Sequence, residues 1–146
     1  MSNRNALTED ERDLFIAGYC EAMLWANTVS EDEEENDRGI DPAWWQTPSE
    51  FWQLQAFDRE SQTRIEEVCN AFLDANRAML RQATRLQPNR TMDFHGHDLA
   101  LTAAGHGTGF WDRGYPEELG QRLSDAAKMY AADAWFGEDG IVHYEG

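Results

Sequence analysis

The chain has 146 residues, 41% of them hydrophobic and 12% aromatic, and its 28 acidic against 12 basic residues give a formal net charge of −16. That apolar content supports one globular domain with a core of its own and excludes a disordered chain. The charge excludes direct binding of nucleic acid or of an anionic membrane surface, and it selects basic partners. Lys128 is the only lysine. The acidity admits two readings, surface acids that serve solubility and mimicry of the DNA phosphate backbone. No stretch approaches the roughly 20 apolar residues of a membrane span, and MSNRNALTEDERD carries no apolar signal core. The expected location is the cytoplasm.

Thr8 with Glu11 forms a T-x-x-E capping box that opens a helix running to about Ala26. Its Leu14, Phe15, Tyr19, Ala22, Met23 and Ala26 recur at helical spacing and make one buried face. Residues 28–43 carry EDEEEND and then RGIDP, too poor in apolar groups to fold alone, which predicts a solvated acidic loop. Thr47, Pro48 and Glu50 start a short helix around Phe51, Trp52 and Leu54. A longer helix covers Arg59 to Leu86, with Ile65, Val68, Cys69, Phe72, Leu73, Met79 and Leu80 in its stripe, and Pro88 ends it. Cys20 and Cys69 occupy apolar helix positions without metal-site spacing, which predicts reduced, buried thiols.

The stretch from Phe94 to Thr102 shows partial alternation, AAGHG supplies a turn, and Thr108 to Asp112 makes a return strand, together a β-hairpin. Glycine costs about 1 kcal/mol relative to alanine inside a helix, which argues against one in this glycine-rich block. Pro116 opens a helix over 116–132, with Leu119, Leu123, Ala127 and Tyr130 on one face. The ending WFGEDGIVHYEG carries two short apolar runs joined by Glu-Asp-Gly, a second hairpin signal. This order predicts an α+β fold, a single domain over 1–146 with helices packed on a small antiparallel sheet built from two hairpins.

The block FHGHDLALTAAGHGTGFWDRG, Phe94 to Gly114, holds three of the four histidines. Its Gly96, His97, Asp98, Leu101, Thr102, Gly105, His106, Gly107, Gly109, Phe110, Trp111, Asp112 and Arg113 resemble a G-H-D-x-x-L-T-x-x-G-H-G-x-G-F-W-D-R signature. That signature marks a family of small acidic proteins of bacteriophages and related mobile elements. GYCEAMLW, EEVCNAFLDAN and the FGEDGIVHY ending are similar to further segments of the same family. Ala100 stands where these proteins carry a bulky residue, and Phe136 and Glu138 replace a usual Tyr and Asp. The resemblance implies a phage-type origin, a shared fold and a role directed at host machinery. It carries over no catalytic residue.

His95, His97, Asp98 and His106 are of metal-ligand type, and on a strand His95 and His97 would share a face. No HExxH motif or nearby cysteine completes a set, so the plainer reading has His97 and His106 bonded to turn backbone or paired with Asp98 and Asp112. No cofactor is expected. Acid–base chemistry could pair His97 with Asp98 or His106 with Asp112, with Arg113 holding an anionic substrate. The block offers no serine or cysteine nucleophile, only Thr102 and Thr108, and GHGTG lacks the phosphate-loop lysine. Phe110 and Trp111 read as packing residues, and Arg113 as a partner for a helix acid or an aromatic face.

The acidic run Glu31, Asp32, Glu33, Glu34, Glu35 and Asp37 is followed by Asp41, Trp44 and Trp45. Carboxylates beside aromatics suit an arginine- and lysine-rich surface, while a loop stapled back by its tryptophans is the plain alternative. The leading reading is a phage-type acidic binding protein. It would inhibit or modulate a host nucleic-acid-binding or defence protein through a DNA-mimic-like surface in the host cytoplasm. Its partner is then a host protein with a basic surface, not nucleic acid and not a membrane. The alternatives are a small enzyme or metalloprotein centred on the His/Asp-rich block, and an assembly accessory that forms homo-oligomers through its tryptophans.

Overall fold

The computed structural model describes residues 7–26, 54, 57–105, 109–110, 113–136 and 142–146. Helices dominate them: α1 (Glu9–Ala26), α2 (Arg59–Leu86), α3 (Met92–Ala103) and α4 (Glu117–Lys128). Two short strands, β1 (Asp133–Phe136) and β2 (Val142–Glu145), pair antiparallel with Asp133 opposite Glu145 and Phe136 opposite Val142. The acidic segment 28–43 and the helix expected at Thr47 lie outside the described residues, Leu54 apart.

α1 starts at a closed capping box. Thr8 Oγ1 accepts the Glu11 N–H at 3.1 Å, and Glu11 Oε1 accepts the Thr8 N–H at 3.1 Å, which satisfies two donors that the helix leaves open. α2 buries Ile65, Val68, Cys69, Phe72, Leu73 and Leu80 along one stripe and stops just before Pro88. Phe72 is the hub of the core. Its ring stacks on Phe15 of α1 at 6.0 Å and on Phe110 at 5.9 Å, and it meets Tyr130 edge-on at 5.8 Å.

The expected architecture is overturned at the centre of the chain. Phe94 to Thr102 is not a strand but lies within α3, so the hairpin predicted there does not exist. Met92, His95, Gly96, Leu99, Ala100 and Ala103 are buried, a 3–4 spacing that belongs to a helix. α3 ends in the helical manner, with Gly105 at φ 74° just past Ala104. The molecule is therefore mainly helical, its helices packing on one another and not on a two-hairpin sheet.

α3 lies directly against α1. A Cβ on Gly96 would stand 2.0 Å from the Phe15 carbonyl oxygen, and one on Gly18 would stand 2.1 Å from that of Asp93. Only glycine permits this backbone-to-backbone approach. The terminal strand pair docks on the start of α2, where Asp58 N–H donates to the Val142 carbonyl at 3.1 Å and Arg64 Nε donates to that of Gly146 at 2.8 Å. Tyr19 of α1 and Tyr144 of β2 join their buried hydroxyls at 2.6 Å. Among the described residues no helix is long and apolar enough to cross a membrane.

Candidate functional site

Two polar residues of the His/Asp-rich block, His95 and Asp98, are turned inward. Asp98, in the middle of α3, has no exposed surface, and a carboxylate there has to be paired. Arg90, from the turn before α3, reaches its Oδ2 at 3.0 Å. Arg113, from the segment after α3, places Nε at 2.9 Å and Nη2 at 2.8 Å from Oδ1. Gln87 donates to the Arg113 carbonyl at 2.6 Å, and the Arg90 guanidinium lies 5.1 Å from the centre of the Phe94 ring. This group ties the segments flanking α3 to the centre of the helix. Removing one partner of such a buried pair costs about 3–5 kcal/mol, so Asp98 and Arg113 act as a structural clamp.

His95 is also fully buried. Its Nε2 lies 3.0 Å from Thr84 Oγ1 on α2, and its ring stacks at 6.4 Å on Phe110. Burial lowers its pKa to about 4, with the Arg90 charge adding to the shift and Asp93 opposing it. His97 follows two residues later, roughly 200° around a helix, and its Nε2 sits 3.6 Å from Glu21 of α1. The face that His95 and His97 would share on a strand is thus split between core and surface. Thr102 spends its hydroxyl on the Asp98 carbonyl at 2.8 Å, and Phe110 is buried. His106, Thr108, Trp111 and Asp112 lie outside the described residues, as do Glu31, Asp32, Glu33, Glu34, Glu35, Asp37, Asp41, Trp44 and Trp45. Among the described residues no group of three His, Cys, Asp or Glu side chains is placed to hold a metal ion.

The two cysteines serve the interior. Cys20 and Cys69 are free and buried, and desolvation pushes both thiols well above their ordinary range. A serine, a carboxylate and a histidine do meet at the start of α2, beside a cleft of about 610 Å3. Ser61 Oγ donates to Asp58 Oδ1, and His143 Nδ1 lies 3.4 Å from the same oxygen. The carboxylate stands between hydroxyl and imidazole, whereas a catalytic triad places the imidazole in the middle. Ser61 instead accepts the Tyr144 N–H at 3.0 Å and is 5% exposed, which makes the trio an anchor for β2.

A second cleft, of about 450 Å3, opens between α1 and α2. Ile16, Ala17 and Leu54 supply apolar lining, and Glu9, Asp13 and Glu66 supply carboxylates. All three acids are exposed and make no ion pair among the described residues, whereas Arg12 beside them is held by Asp74 and by Asn70 Oδ1 at 2.8 Å. Sequence patterning missed this place because it exists only once α2 docks on α1. The one linear trace of it is the acidic EDERD run at Glu9–Asp13. No family model, curated protein or solved structure matches the chain.

Proposed function

We propose that the protein is an acidic binding protein of phage type that covers a basic, nucleic-acid-binding surface of a host protein and thereby inhibits or modulates it. The observation that carries this reading is how charge is distributed along the helices. Arg12, Arg64, Arg81, Arg90, Arg113 and Arg122 are each committed to a carboxylate of the same chain. Glu9, Asp10, Asp13, Glu60 and Glu66 remain exposed without an ion pair among the described residues. Arg59, Arg77, Arg85 and Lys128 have no such pair among the described residues, yet with 28 acids to 12 bases the unpaired anions outnumber them, and a surface with that excess attracts basic partners and repels nucleic acid.

The resemblance of the Gly96–Arg113 block to small acidic phage proteins supports a host-directed target. Within the described part of that block, Asp98 and His95 are spent on the fold, while His97 stays partly exposed beside Glu21. Asp98 is clamped by two arginines, and His95 is neutral and enclosed. The test is capture from host lysate on the immobilised full chain at low and high salt, with captured proteins identified by mass spectrometry. A basic nucleic-acid-binding protein released by salt, and displaced by competitor DNA, is the expected result. Capture of no basic protein, or capture indifferent to salt, overturns the reading.

A further inference from the structure

We propose that the cleft between α1 and α2 is where the protein grips an arginine-bearing segment of its partner. This assignment rests on the reading above, and it names the place and the side chain. The cleft joins two features that a long cationic side chain requires. Ile16, Ala17 and Leu54 offer apolar surface to an alkyl stem, and Glu9, Asp13 and Glu66 offer carboxylates to its charged head. Its volume of about 450 Å3 lies within the range of clefts that enclose a ligand group.

Among the described residues the charge is not neutralised from within. Arg12, the cation in the lining, already donates to Asn70 and pairs with Asp74. Glu9 and Asp13 stand one helical turn apart on α1, an arrangement of like charges that disfavours the isolated helix. A guanidinium entering from outside relieves that repulsion and can donate to two carboxylates through its planar fork, which a lysine ammonium cannot match. Charge complementarity on an apolar base thus selects an arginine of a protein partner as the occupant.

The test uses the full-length chain and a fluorescent arginine-rich peptide, with a lysine-rich peptide of equal length and a free polyamine as comparisons, followed by anisotropy at low salt. Three proteins are compared with the unaltered one. The first is Glu9→Gln/Asp13→Asn/Glu66→Gln, the second is Ala17→Trp, which fills the cleft without changing charge, and the third is Glu117→Gln/Glu118→Gln/Asp125→Asn on α4. Circular dichroism melts confirm that each is folded. The first two are expected to weaken the arginine peptide at least about tenfold, and the α4 variant by less than about twofold. Equal weakening by the two triple variants, or no effect of Ala17→Trp, overturns the cleft assignment and leaves the acidic-surface reading standing. A polyamine that binds as tightly as the peptide overturns the partner segment as occupant. Absence of peptide binding to the unaltered protein overturns both readings.

Discussion

His95 enters the fold as a neutral imidazole, and its titration reports on the core around it. Its folded pKa of about 4 lies below the ordinary 6.5, so the unfolded chain takes up the proton first as pH falls. The stability it supports is therefore complete above about pH 6.5 and is lost progressively toward pH 4, about 3 kcal/mol in all. Glu11 titrates in a separate window. Its bond to Arg81 holds it down to about 2, so its contribution is present above its ordinary 4.5 and disappears only as pH falls toward 2. His95→Gln keeps a polar group for Thr84 without a titrating ring. Thermal melts between pH 4 and pH 7 are expected to show a flatter Tm profile for His95→Gln than for the unaltered chain. Parallel profiles would place the pH dependence elsewhere.

At the scale of elements, the contact between α1 and α3 is the most demanding in the molecule. Gly18→Ala and Gly96→Ala would each drive a methyl group into backbone, at 2.1 Å and 2.0 Å from a carbonyl oxygen. Neither backbone can yield as a flexible side chain would, so the helices must separate. Each substitution is expected to cost about 3 kcal/mol in urea unfolding. Once one methyl has parted the helices, the second meets less resistance, so the double variant is expected to lose less than the sum. Strict additivity would mean that the two glycines are not parts of one crossing. This contact also explains which elements the sequence makes legible. α1 and α2 announce themselves through local chemistry, the Thr8–Glu11 box and the stop at Pro88. α3 does not, because glycine opposes helix when its intrinsic cost is averaged over a block. Here Gly96 is required inside a helix by what packs on it, and the remaining glycines of the block follow α3. The buried spacing of Met92, His95, Leu99 and Ala103 was the available signal. The α1–α2 cleft had no comparable signal, since Glu66 meets Glu9 and Asp13 only through tertiary docking.

For the whole molecule, salt acts on two opposing electrostatic terms. Added ions weaken exposed ion pairs such as Arg64–Glu67 and Arg122–Glu118, which are worth about 0–1 kcal/mol each. They also screen the mutual repulsion of a chain that carries a formal −16 in a compact volume. The second effect dominates, because with 28 acids to 12 bases most carboxylates find like charge and not a partner within a screening length. The better-buried pairs, Arg90–Asp98 and Arg113–Asp98, are screened least and keep the fold's internal clamp intact. Calorimetry from low salt to about 0.5 M sodium chloride is therefore expected to raise Tm, by about 3 °C for each 1 kcal/mol of repulsion removed. If the proposed basic partner binds, the same titration is expected to release it, so that salt firms the free protein while it loosens the complex. A Tm that falls with salt would show that the native state depends on its surface ion pairs more than it suffers from its excess acid. The acidity would then be a feature of stability, and the surface would lose its claim to be kept charged for binding.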